Sequence, residues 1–180
     1  MIILKTLGSI INWFVYSPAG TDVELNINTP NSVSAGFDPN RWANTAPNDE
    51  VFTIGTSFQY SVYAGDTIAY CFADIAGYQK VGSYTAGSLP RVIYTTDDGT
   101  SGGANGFLPR FLMIKSADVG STSWVIVDSS RGTDKWMYAN ESATEATVSG
   151  AITFNSNGFT LGNQGSYINA SGTYIYLAIA

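Results

Sequence analysis

FTIGTSFQYSVYAGDTIAYCFA, residues Phe52 to Ala73, aligns without a gap on FTLGNQGSYINASGTYIYLAIA, residues Phe159 to Ala180. Phe52/Phe159, Thr53/Thr160, Gly55/Gly162, Tyr60/Tyr167, Gly65/Gly172, Ile68/Ile175 and Ala73/Ala180 are identical. Upstream, with small shifts, Lys5 matches Lys115, Trp13 matches Trp124, and Gly20-Thr21-Asp22 matches Gly132-Thr133-Asp134. The pattern predicts two copies of one β-rich unit. Duplicated scaffolds serve assembly or multivalent binding more often than a single active site.

The closing segments carry the physical content of the alignment. In a strand, Ile175, Leu177 and Ile179 point to one face, Tyr174 and Tyr176 to the other. The first copy puts Ile68, Tyr70 and Phe72 on the first face and Thr67, Ala69 and Cys71 on the second. The first face stays bulky and apolar, so it is expected inside, because a one-residue slip would turn a core outward. The second face varies, so Tyr174 and Tyr176 are expected on an exposed or interface side. Cys71 is expected as a small buried filler within its strand.

Period-two alternation recurs elsewhere between Gly, Asn, Asp and Ser clusters. It predicts strands at Met1-Ile2-Ile3-Leu4, Lys80 to Thr85, Arg91 to Thr95, Phe111 to Lys115, Trp124 to Asp128, Lys135 to Tyr138, Ala151 to Phe154, Phe159 to Leu161 and Thr173 to Ile179. Asn155-Ser156-Asn157-Gly158 reads as a hairpin turn, and Gly65 and Gly172 as turns before each closing strand. No long stretch has helical periodicity. The expected fold is all-β, an antiparallel jelly-roll-like β-sandwich built as two related units in tandem. Residues 1–73 would form a first, incomplete unit. Residues 74–180 would form a second, complete one, with connector strands in 74–110 and the repeat in 111–180. A first unit without leading strands has fewer strands, borrows them from a neighbour, or is trimmed at its N-terminus; an open edge wants a partner.

Composition narrows the function. Of 180 residues 44% are hydrophobic and only 12% charged, with Gly, Ser, Thr and Asn at polar positions, which suits a chain meeting copies of itself or sugars. The net charge of −6 offers no basic face for phosphates, so nucleic acid is not an expected partner. Nor is a membrane, because there is no membrane-length apolar run. With no histidine, the commonest general base and metal ligand is missing, and one cysteine forms no intrachain disulfide. No cofactor or metal is expected.

Each chemical motif has a plainer reading. Asp97-Asp98-Gly99 lacks the alternate spacing and closing Glu of a calcium loop and reads as an acidic turn. A glycosidase needs two facing carboxylates; Asp38, Asp49, Glu50, Asp128, Glu141 and Glu145 sit mostly among turn residues. Trp13 and Trp124 start apolar strands and read as core anchors, with sugar stacking as the alternative. Trp42, in the polar loop Asp38-Pro39-Asn40-Arg41-Trp42-Ala43-Asn44, is a candidate exposed contact for a glycan or neighbouring subunit. Arg41, Trp136, Tyr174 and Tyr176 complete that candidate set. Arg131-Gly132-Thr133-Asp134 reads as a hairpin turn, not an adhesion motif. Asn140-Glu141-Ser142 and Asn169-Ala170-Ser171 match the glycosylation pattern, which would mean nothing in a protein made inside bacteria.

The run Tyr70-Cys71-Phe72-Ala73-Asp74-Ile75-Ala76-Gly77-Tyr78-Gln79-Lys80-Val81-Gly82-Ser83-Tyr84-Thr85 resembles the signature of a repeated β domain in virion proteins of tailed bacteriophages, familiar from marine and cyanobacterial phages. Gly106 to Lys115, Asn155 to Phe159 and Asn169 to Tyr176 resemble its following segments. The connector Ala86-Gly87-Ser88-Leu89-Pro90 is shorter than the family's usual polar run. The resemblance implies a virion location and brings no catalytic residues with it. The expected function is a non-enzymatic structural protein, a tail, fibre or appendage component acting in particle assembly and host-surface contact. The alternatives are a capsid decoration or cement protein, and a carbohydrate-binding module for host polysaccharide. Expected partners are other virion proteins, a host surface glycan and copies of the chain itself, a homotrimer by analogy with phage fibres.

Overall fold

The computed structural model describes residues 1–8, 10–32, 41–56, 65–163 and 166–180. The fold is all-β and antiparallel. Its strands are β1 (Ile2–Thr6), β2 (Phe14–Ser17), β3 (Gly20–Asn26), β4 (Thr67–Cys71), β5 (Gln79–Thr85), β6 (Arg91–Tyr94), β7 (Phe111–Ser116), β8 (Val125–Asp128), β9 (Gly132–Tyr138), β10 (Ala146–Thr147), β11 (Ile152–Asn155), β12 (Gly158–Leu161) and β13 (Thr173–Ile179), with one helical turn, α1 (Ser166–Asn169). They form three sheets, in the orders β3-β2-β1-β4, β10-β9-β8-β7-β13-β5 and β11-β12-β6.

The sheets stack in layers whose contents follow from alternation. β7 reads Phe-Leu-Met-Ile-Lys without a polar interruption because both of its faces are buried. Leu112 and Ile114 join Val125, Val127, Trp136, Tyr174, Tyr176 and Ala178 on one face of the six-stranded sheet, against Ile93, Ile152, Phe159 and Leu161 of the three-stranded one. Met113, Trp124, Ile175 and Leu177 point the other way and meet Met1, Ile3, Val15 and Leu25 of the four-stranded sheet. The opposite face of that sheet, Ile2, Leu4 and Phe14, closes over Trp42, with Phe52 and Ile54 packed alongside. The central core thus draws on both 1–73 and 74–180.

The four-stranded sheet and the six-stranded sheet share one register. Ile3 pairs with Val15 and Tyr70; the aligned Met113 pairs with Ile126 and Leu177. Lys5 pairs with Ile68 and Lys115 with Ile175. The same ladder shift recurs between Val15 and Ser17 and between Ile126 and Asp128. The correspondence ends at Phe52: Phe159 lies in β12, whereas residues 51–55 form no strand. β12 draws its hydrogen bonds from β11 and β6, and no such partners appear among the described residues of the first half. There, loop side chains cover the sheet instead.

Most predicted strands appear within a residue or two. The turn between β11 and β12 is Ser156-Asn157, one position ahead of the expected Asn-Gly pair, because Asn155 pairs with Gly158. Gly158 answers a different need: a Cβ there would lie 2.1 Å from the Ile93 carbonyl oxygen of β6. Gly172 does turn the chain, with φ +71°. Tyr60 and Asp38 lie outside the described residues.

Candidate functional site

The residues expected at the surface lie mostly inside. Trp42 is 1% exposed, Trp136 and Tyr174 are 0%, and Tyr176 is 3%; side chains so buried make no contact with a glycan or subunit. Each correction has a local cause. Trp42 fills the place that a covering sheet holds in the second half, edge-on to Tyr16 at 5.3 Å. Trp136 points into the core between the six- and three-stranded sheets, as do both tyrosines. Tyr174 stacks on Tyr84 at 5.2 Å and accepts a bond from the Ala170 amide. The Tyr176 hydroxyl donates to the Tyr94 carbonyl, and burial raises its pKa. Arg41 is half-buried, its guanidinium 5.2 Å over the Phe14 ring.

Two other expectations reverse. Ile68 and Tyr70 are 40% and 44% exposed, whereas the aligned Ile175 and Leu177 are 0% and 2%. The reason is position: β13 lies between β7 and β5 within its sheet, while β4 has only β1 beside it among the described residues. Cys71 is in a strand, as expected, but exposed. Its counterpart Ala178 is sealed by the three-stranded sheet, whereas Cys71 borders a hollow of about 370 Å³ also lined by Pro47, Val51 and Phe52.

The exposed face of β4 continues into a groove of about 450 Å³, lined by Ile3, Trp13, Ile27, Asn28, Tyr70, Phe72 and Ala139. Trp13 and Tyr70 stack with centroids 6.3 Å apart and planes at 20°. Asn28 holds the Trp13 backbone, accepting from its amide at 2.9 Å, and donates to Asn12 at 3.0 Å. Trp124, at the position aligned with Trp13, is fully buried, and its Nε1 donates to the Asn26 carbonyl at 2.9 Å, tying the two sheets together. One repeat position therefore yields a core anchor in one half and a groove wall in the other. Tyr70 went unmarked as a surface candidate, although a signal existed: where the second copy has Leu177, the first carries a larger side chain with a polar tip.

The repeated lysines peg equivalent loops. Lys5 Nζ donates to the Ile11 carbonyl at 2.8 Å. Lys115 Nζ, fully buried, donates to the Ser116 and Pro30 carbonyls and to Thr122 Oγ1 at 2.9, 3.3 and 3.1 Å. These neutral acceptors do not replace water around a charge, and desolvation lowers the Lys115 pKa to about 8.

Several acidic residues are occupied with neighbouring loop groups. Asp98 Oδ1 accepts from the Thr100 amide at 2.9 Å, holding its carboxyl below the usual range. Asp97 accepts from Asn105. Asp128 accepts from the amides of Ser130 and Arg131, both at 2.9 Å, shaping the turn into β9. Arg131 pairs with Asp128 and lies 3.9 Å from Glu145, and Glu141 accepts from Ser123. Among the described residues no three Asp, Glu or Cys side chains gather as a metal site. Asn140 accepts from the Trp124 amide and Asn169 bonds Gly87, so both glycosylation-pattern amides are engaged.

No curated protein and no solved structure matches this chain. A family model does, over residues 1–180, described as a domain of unknown function. The chain belongs to that family, DUF7483.

Proposed function

We propose that the chain is a non-enzymatic structural protein of a tailed-phage virion, a tail, fibre or appendage component that acts by assembly. The observation that carries this reading is β4. Its residues 68–71 are exposed, though the aligned stretch of β13 is buried, and apolar side chains on an edge strand invite another chain. The charge-poor composition supports it, as does the resemblance of residues 70–85 to phage virion domains. The matched registers support two related, jelly-roll-like units in tandem, 1–73 and 74–180, meeting across their central core. Copies of the chain and other virion proteins are the partners on this reading.

The test is to purify particles through a density gradient with a high-salt wash and measure the chain by mass spectrometry. A fixed ratio of chain to capsid protein is the expected result. Loss of the chain from infectious particles sinks the proposal.

A second reading is favoured by the stacked Trp13–Tyr70 pair beside Asn28. Aromatic faces flanked by amides suit the apolar face and hydroxyls of a sugar, so on this reading the groove holds a host-surface glycan.

A further inference from the structure

β4 and β13 occupy the same place in their sheets, and their outer sides differ. On the side away from β7, β13 carries β5, paired from Thr173↔Thr85 to Ile179↔Gln79. Among the described residues no strand lies on the side of β4 away from β1. The Phe72 amide donates to the Met1 carbonyl at 2.8 Å. By antiparallel alternation, Tyr70 and Ile68 then also bond β1, and the amides of Ala69 and Cys71 point outward. Outward amides and exposed Ile68 and Tyr70 together make a short strip that an extended chain can extend as a ladder.

The molecule contains its own template for what belongs there. We infer that the outer edge of β4 docks one extended strand of the β5 kind, added antiparallel and contributed by a β unit of a different protein rather than by a second copy, whose own β5 is already paired with β13. This deepens the assembly reading, on which the source of the strand rests. The pairing of β13 with β5 carries over by the alignment. Ile68 then faces a residue in the place of Ser83, Ala69 one in the place of Gly82, Tyr70 one in the place of Val81, and Cys71 one in the place of Lys80.

The two edges differ in one selective respect. A Cβ on Gly82 would lie 2.5 Å from the Tyr176 ring, so any side chain at that position must displace a buried tyrosine. At the aligned position β4 has Ala69, which leaves room for a side chain. The incoming strand can therefore be β-branched opposite Ala69, where β5 could be so only by displacing Tyr176.

This difference supplies the test. A peptide of residues 78–86, YQKVGSYTA, and its Gly82→Val form are added to the isotope-labelled full chain, and amide hydrogen exchange is followed by NMR. Both peptides should slow exchange at Ala69 and Cys71 roughly tenfold or more, with the Gly82→Val form at least as effective. The β5 and β13 amides should be unchanged and a scrambled peptide inert. The doubly substituted chain Ile68→Lys, Tyr70→Lys, altered only at exposed positions, should lose the protection.

Several results overturn the inference. One is no protection at millimolar peptide, or equal protection by the scrambled peptide. Protection in the chain alone that grows with concentration would assign the edge to a second copy. Concentration-independent protection would mean that the chain covers its own edge. If the peptide docks but the chain is absent from purified particles, the virion reading fails and the edge stands; the reverse pair of results fails the edge alone.

Discussion

Lys115 offers a prediction whose sign and size both follow from its surroundings. Its ammonium is fully buried among two carbonyls and one hydroxyl, and its pKa falls from 10.5 to about 8. Below pH 8 the lysine is charged in both folded and unfolded chains, and the folded state bears the whole desolvation cost. Between pH 8 and 10.5 the unfolded chain binds a proton that the folded chain has released, so stability rises with pH. From pH 7 to pH 10 the gain is about 2.5 kcal/mol, at about 1.4 kcal/mol for each unit separating the two pKa values. Tyr84 and Tyr176, whose hydroxyls burial raises, work in the opposite sense above pH 10, because the unfolded chain ionises first.

Subtracting a Lys115→Met chain isolates the lysine. Methionine keeps length and apolar volume but carries no titrating group. Urea unfolding of both chains at pH 7, 8, 9 and 10 gives the difference in stability. The difference, wild type minus variant, should climb by about 2.5 kcal/mol across that range. A flat difference refutes the buried-cation argument, and a falling one refutes its sign.

The other predictions concern tryptophans, a glycine and the groove. Trp42→Ala should cost about 3–5 kcal/mol in thermal or urea unfolding, because it opens the core over Ile2, Leu4 and Phe14; a loss near zero would restore Trp42 to the surface. Trp124→Phe should cost more than Trp136→Phe. The first removes the Nε1 bond to the Asn26 carbonyl, which keeps only the Thr29 amide at 3.3 Å, a loss of about 0.5–1.5 kcal/mol, while Trp136 Nε1 is buried without a partner and its removal relieves an unpaired donor. Gly158→Ala should destabilise by about 1–3 kcal/mol, because the new methyl meets the Ile93 backbone rather than a movable side chain. Trp13→Ala and Tyr70→Ala should abolish retention on host polysaccharide if the groove binds sugar, at little cost in stability for Tyr70; unchanged retention dismisses the glycan reading.

How far the sequence led can be judged from particular residues. The strands were legible because side-chain period two is local: β13 and the apolar run of β7 were placed almost to the residue. The shared pairing of two sheets was legible in Lys5/Lys115 and Ile68/Ile175, because Lys5 pairs with Ile68 as Lys115 pairs with Ile175. Burial was not legible, because it depends on what lies across a face. Tyr174 and Tyr176 look like an exposed polar-tipped row until the three-stranded sheet covers them. Ile68 and Tyr70 look like core until β4 proves to be an edge. Trp42 sits in a polar loop, yet its side chain closes over Ile2, Leu4 and Phe14, a sheet face that no other sheet covers among the described residues. The groove was hidden for the same reason, since Trp13, Tyr70 and Phe72 of its walls read as core positions.

The most direct measurement on the central claim uses Cys71, the sole cysteine, exposed on β4. Its alkylation rate is compared in the free chain and in washed, intact particles. The account predicts a fast reaction in solution and strong protection in the particle, where a neighbouring chain lies along β4. Equal rates in both, with the chain present in the particles, would contradict it.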